Sequence, residues 1–212
     1  LEFLIQMPSI RHLELIMGYN YLLDERLMRH LLTRPNLEWL SLGPEKLLRH
    51  DTLMKQSSDG SPTGLFSNMR YLRVTAEERA LRLLLPNLSR LQHLDIELAD
   101  APLDGTDRVL NSLANCCPQL EELHLNSEVA FVVPSTALVS IVTKCPLLRR
   151  LEIEHSERGI TCDDSFHDGL MEELASKLKN IETLSLPFHN KLTFKSLASL
   201  ARHCHQLYDL SL

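Results

Sequence analysis

A six-residue phase recurs along this chain and limits how it can fold. An apolar anchor is followed by two variable residues, a leucine, one variable residue and a second aliphatic. The copies are Ile10-Leu13-Leu15, Leu37-Leu40-Leu42, Met69-Leu72-Val74, Leu91-Leu94-Ile96, Leu120-Leu123-Leu125, Leu148-Leu151-Ile153, Ile181-Leu184-Leu186 and Leu207-Leu210-Leu212. Their anchors are 27, 32, 22, 29, 28, 33 and 26 residues apart, a mean near 28. Within each copy the apolar residues alternate with variable ones, which is the period of a half-buried strand.

Between the copies the period changes. Val109, Leu110 and Leu113, then Leu138, Val139 and Val142, Leu170, Met171 and Leu174, and Leu197 and Leu200 have the spacing of one helix face. Asp107, Ser135 and Thr193 stand where N-caps are expected. Each unit therefore reads as strand, loop, helix and return. Three apolar anchors bury too little surface to offset the backbone entropy of ordering a whole unit, so neighbouring units must cover one another. A period of 20–29 residues with this consensus is that of a leucine-rich repeat. The expected fold is an α/β leucine-rich repeat solenoid, a right-handed arc with parallel strands on the concave side and helices on the convex side.

Residues 1–212 read as a single domain of about eight irregular repeats. The two long intervals locate insertions. His50 to Gly64 contains the stretch Gln56 to Gly64, of flexible loop composition, and Glu154 to Ser165 is polar and includes Gly159, Asp163 and Asp164. Both are expected as rim loops. The first and last residues, Leu1 and Leu212, fall inside hydrophobic patterns, so the chain is expected to be a fragment of a longer protein.

Formal net charge is −6, and no block of like charges suggests a nucleic-acid partner. No apolar run is long enough for a membrane span, and no signal peptide is visible. The five cysteines, Cys116, Cys117, Cys145, Cys162 and Cys204, are odd in number and include no C-x-x-C pair. Free buried thiols in a reducing compartment, cytoplasmic or nuclear, are the simplest reading.

Catalytic and metal chemistry find little support. His203-Cys204-His205 and the set His155, Cys162 and His167 lack zinc-ligand spacing with a second pair. Cys116-Cys117 falls at a helix C-terminus, where the dipole disfavours a thiolate. Asp163, Asp164 and Asp168 lack the placed glycine and glutamate of a calcium loop, and an acidic loop capping a helix is preferred. No phosphate-binding loop or nucleophile elbow exists. No enzyme activity, cofactor or metal site is expected.

The C-terminal half carries a more specific signature. Leu113-Ala114-Asn115-Cys116-Cys117-Pro118-Gln119-Leu120 reads as helix end, cysteine, proline and strand. Ile141-Val142-Thr143-Lys144-Cys145-Pro146-Leu147-Leu148 repeats it, and Leu200-Ala201-Arg202-His203-Cys204-His205-Gln206-Leu207 does so with histidine for proline. This resembles the cysteine-containing leucine-rich repeats of F-box proteins, the substrate receptors of cullin-based ubiquitin ligases. The resemblance covers roughly residues 105–212 well and the first hundred loosely. It implies that Cys117, Cys145 and Cys204 are small, buried packing residues at helix ends. It also implies a protein substrate on the concave face and a ligase adaptor bound through a region outside this chain. The sequence departs from the family in several places. Repeats one to four lack the cysteine, Lys179 stands where it would fall in repeat seven, the ladder after the strand is irregular, and no F-box is visible. A leucine-rich scaffold or regulator unrelated to ubiquitination is the alternative.

Strand geometry selects the surface. Residues between the anchors point away from the core, so they stack into columns across successive repeats. One column reads His12, Trp39, Tyr71, His93, Glu122, Arg150, Thr183 and Asp209; the next reads Glu14, Ser41, Arg73, Asp95, His124, Glu152, Ser185 and Ser211. Trp39 is the single tryptophan, and Trp, Tyr and Arg are common binding anchors. The candidate partner-binding residues are His12, Trp39, Tyr71, Arg73, His93, Glu122, Arg150 and Glu152. Packing of Trp39 against a domain outside this chain is the competing reading.

Overall fold

The computed structural model describes Leu4 and residues 6–15, 25–43, 47–54, 64–99, 107–127, 129, 131–154, 160–186 and 191–212. Its elements are β1 (His12–Leu15), α1 (Glu25–Leu32), β2 (Trp39–Leu42), β3 (Leu47–Leu48), α2 (His50–Met54), β4 (Tyr71–Ala76), α3 (Glu78–Leu84) and a 3-10 turn (Leu85–Asn87). There follow β5 (His93–Leu98), α4 (Asp107–Cys116), β6 (Glu122–Ser127), β7 (Phe131–Val133), α5 (Ser135–Lys144), β8 (Arg150–Ile153), β9 (Ile160–Cys162), α6 (Asp168–Lys177), β10 (Thr183–Ser185), α7 (Phe194–His203) and β11 (Asp209–Ser211).

The protein is α/β. One open sheet of nine strands runs β1-β2-β4-β5-β6-β8-β10-β11, with β3 also paired to β4, and every pair is parallel. All eight expected strands are present and follow one another in chain order. The short parallel pair β7-β9 and the two-residue β3 lie outside the six-residue pattern and were not anticipated.

The sheet buries one face. Leu40, Leu72, Leu94, Leu123, Leu151 and Leu184 are buried, as are Leu42, Val74, Ile96, Leu125, Ile153 and Leu186 two residues later. Helix residues at the expected spacing, among them Val109, Leu113, Leu138, Val142, Met171, Leu174 and Leu200, belong to the same core. Consecutive helices pack side by side along the chain.

A backbone rung recurs at each strand entry. The carbonyl of Arg11 accepts from the amides of Glu38 (2.8 Å) and Trp39 (2.9 Å), and the carbonyl of Glu38 accepts from Arg70 (2.8 Å) and Tyr71 (3.1 Å). Arg70, Gln92, Glu121, Arg149 and Glu182 continue the series. These rungs fix each unit's register against the next, so a column in the sequence becomes a column in space.

Cys117, Cys145 and Cys204 are buried three residues before their anchors, as the resemblance implies. The amide of each donates to the helix before it, that of Cys145 to the Ile141 carbonyl at 2.9 Å and that of Cys204 to the Leu200 carbonyl at 2.8 Å. In repeat seven this position is held by buried Leu178, whose amide bonds the Leu174 carbonyl. Lys179, expected there, lies one residue further on, where Cys145 is followed by Pro146. The expectation miscounted by one, since the residue three before the Ile181 anchor is Leu178.

In repeat two the same position is Arg34, also buried. Its guanidinium donates to the carbonyls of Met7 and Leu4 in the preceding unit. Asparagines one residue before the anchor add further fasteners: Asn68 donates to the Pro35 carbonyl at 2.6 Å and Asn180 to that of Pro146 at 3.1 Å. The polar ladder thus precedes the strand instead of following it.

Of the expected helix starts, Thr193 is the N-cap of α7 and accepts from the Lys195 amide. Ser135 is instead the first helical residue of α5, behind Pro134. The Asp107 side chain lies outside the described residues, as do Gln56 to Thr63 and His155 to Gly159 of the two expected rim loops. The acidic residues tie neighbouring units together. Asp163 accepts from both the amide and the hydroxyl of Ser135, and Asp168 from the Thr193 amide (2.8 Å) and the Thr193 hydroxyl (2.7 Å).

Candidate interaction surface

The strand registers assemble the two expected columns row by row. His12 is opposite Trp39, Trp39 opposite Tyr71, Tyr71 opposite His93, His93 opposite Glu122, and Glu122 opposite Arg150. In the second column Arg73 is opposite Asp95, Asp95 opposite His124, and His124 opposite Glu152. All eight candidate residues therefore lie on one continuous face of the sheet.

The aromatic end is a stacked ladder. The rings of Trp39 and Tyr71 are 3.6 Å apart and within 2° of parallel; those of His12 and Trp39 are 4.9 Å apart and within 8°. His93 tilts by 38° at 6.1 Å from Tyr71. Parallel strands are about 4.8 Å apart, so planar side chains at equivalent positions stack naturally. Trp39 and Tyr71 are half-buried because each covers the other's ring face, and their outward edges form the surface. The indole N–H of Trp39 is buried with no acceptor among the described residues. Leaving such a donor unsatisfied costs about 1–3 kcal/mol.

Beyond His93 the face becomes charged. His93 pairs with Glu122 at 3.3 Å, Arg73 with Asp95 at 3.1 Å, and Arg150 approaches Glu152 at 4.0 Å. At the centre is His124. Its Nδ1 lies 3.0 Å from Asp95 and its Nε2 lies 3.3 Å from Glu154. The hydrogen bond to Asp95 outweighs burial and, with the pull of Glu154, raises its pKa to about 9, so it is an imidazolium at neutral pH. Ser41 and Thr183, by contrast, are buried and add little to the columns.

Sequence reasoning missed a third outward column. β4, β5 and β6 extend two residues beyond the last anchor, so Thr75, Glu97 and Asn126 align across them; Thr75 is buried, and its hydroxyl donates to Glu97 at 3.1 Å. Glu154 follows in the same phase, its amide bonded to the Leu125 carbonyl at 2.9 Å. The alternation of polar residues after each anchor was the available signal. A small cleft of about 80 Å³ opens where the columns meet, lined by Arg73, Asp95, Glu97, His124 and Asn126 among others.

Of the remaining chemical candidates, His155 lies outside the described residues and His167 has a structural role. His167 is the N-cap of α6, its Nδ1 accepting from the amides of Gly169 (3.1 Å) and Leu170 (3.4 Å). All five thiols are free. Burial pushes Cys145, Cys162 and Cys204 up to about 11 and Cys117 higher still, which disfavours a thiolate. Among the described residues no helix is long and apolar enough to cross a membrane. Comparison with protein-family models returns no match, and neither does comparison with curated proteins.

Proposed function

We propose that this chain is a leucine-rich repeat solenoid that works as a protein-interaction scaffold, with a protein partner bound on the outward face of its sheet. The observation that carries this reading is the His12–Trp39–Tyr71–His93 ladder on the outward face of the sheet. A stacked aromatic row beside a guanidinium offers large rigid contact area at low entropic cost, the make-up of a binding hot spot. Glu122 and Glu152 beside Arg150, with Asp209 two strands further on, favour a basic segment of the partner at the other end.

Within that class the chain acts as the substrate-recognition repeats of an F-box-type ubiquitin ligase subunit, in the cytoplasm or nucleus. Support comes from the buried cysteines at the ends of three helices. Such a subunit works by position: it holds a target near the ligase and makes no bonds itself, so no cofactor is needed. A scaffold unrelated to ubiquitination is the second reading, favoured by Arg34, Phe66 and Leu88 at the cysteine position of earlier repeats. Capture with the full-length protein separates the two. Co-capture of a cullin-ligase adaptor, with ubiquitination of the bound target, supports the first. Capture of a target without adaptor or ubiquitination supports the second.

A further inference from the structure

We propose that His124, Glu152 and Glu154 form a binding site for a divalent transition-metal ion such as Zn2+. One donor atom from each of the three lies within 4.8 Å of the others. Zinc bound at about 2.0–2.2 Å by nitrogen and oxygen places neighbouring ligand atoms about 3.4 Å apart. His124 Nε2 and the Glu154 carboxylate are already 3.3 Å apart, and a Glu152 oxygen has to close in from within 4.8 Å.

The support around the histidine makes this more than a group of acids. A metal-binding imidazole needs its second nitrogen held by an acceptor, which fixes the ring and its tautomer. Asp95 does this at Nδ1, 3.0 Å away, and Arg73 fixes Asp95 in turn at 3.1 Å. Nε2 thereby faces the Glu154 carboxylate, 3.3 Å away. It is buried, and its contact with Glu154 lacks hydrogen-bond geometry. The ligands come from fixed positions: His124 is opposite Glu152 in the β6-β8 register, and Glu154 follows β8 directly.

The charge balance favours a dication. Arg73 neutralises Asp95, and Arg150 only grazes Glu152 at 4.0 Å, which leaves two carboxylates around one imidazole. A proton on Nε2 supplies one positive charge; a divalent ion displaces that proton to the buffer and supplies two. Imidazole with carboxylates suits zinc and its first-row neighbours better than calcium, which takes six to eight oxygen ligands. Three protein ligands leave a fourth position open toward solvent, on the same face as the aromatic ladder.

The sequence reading expected no metal site. It weighed neighbours along the chain, whereas His124 meets Glu152 and Glu154 only through the sheet.

Two probes test the site on the intact protein at mildly alkaline pH. Calorimetric titration with Zn2+ is expected to give one saturable equivalent. Co2+ is expected to give visible d–d bands without a thiolate charge-transfer band. Glu154→Gln, at an exposed position that leaves folding intact, and His124→Gln should each weaken binding at least tenfold. Asp95→Asn should weaken it roughly 10- to 100-fold through the lost support. No saturable binding, a cobalt–thiolate band, or unchanged affinity in Glu154→Gln would overturn the proposal.

Discussion

The thiol of Cys145 donates to the backbone carbonyl of Cys117, 3.5 Å away in the preceding unit. The same inter-unit position carries Arg34 in the second repeat, where the guanidinium donates to the Met7 carbonyl. Two unlike side chains thus make one bond, from the end of a helix back to the unit before. The thiol does so without a buried charge, which fits its place inside the core.

That geometry sets an order of thiol reactivity. Cys117, Cys145 and Cys204 are buried, whereas Cys116 and Cys162 are half-buried. Under native conditions a thiol reagent should label the latter pair first, and slowly, because burial raises their pKa values too. The other three should react only as the chain opens. Mass mapping of labelled peptides over time checks this; early labelling of Cys145 would contradict the assigned packing.

Leu151 lies at the centre of β8 with its side chain in the core. Leu151→Ala leaves a cavity between two units and should cost about 2–5 kcal/mol. A denaturant melt measures this as a lower midpoint. An unchanged midpoint would mean that the buried face has been misassigned.

The eight strands were legible because each obeys one rule, alternation between two leucine-like anchors, and because parallel pairing keeps equivalent residues in register. The columns through Trp39, Tyr71 and His93 and through Arg73 and Asp95 followed from that rule alone. Glu97, Asn126 and Glu154 were not legible, because strand length beyond the last anchor is set by pairing with neighbours. The inter-unit bonds of Asp163, Asp168 and Arg34 escaped for a related reason. They join residues about 25 to 30 positions apart, and loop lengths decide which ones meet. The Arg34 position could have been found by counting back three residues from Leu37.

Asp168 gives a prediction in pH. Hydrogen bonds from the Ser196 hydroxyl and from the Thr193 hydroxyl and amide hold its carboxyl at about 2, below the usual 3.8. A pKa depressed in the folded state contributes stability that is fully present above the unfolded value and lost as pH falls through the folded one. Asp168→Asn should therefore be less stable than the parent at neutral pH, and the difference should shrink as pH falls from about 4 toward 2. Denaturant melts of both proteins at a series of pH values check this. A difference that is constant across that range would show that the carboxylate charge is not involved.

The stacked ladder sets the cost of truncating it. Trp39 is half-buried between His12 and Tyr71. Losing a stacked aromatic contact costs about 0.5–1.5 kcal/mol, so Trp39→Ala should melt slightly lower and still fold. Tyr71→Phe keeps the stack and should melt like the parent.

The central claim is that the outward face of the sheet holds the partner. The most direct test is quantitative capture by four proteins side by side: the parent, Trp39→Ala, Tyr71→Ala, and a control with Glu173→Ala on the exposed side of α6. Melting curves of each verify folding. The account predicts that proteins retained by the parent and the control are lost, together and selectively, from both ladder variants. Equal retention by all four folded proteins, or loss from the helix-side control alone, would contradict it.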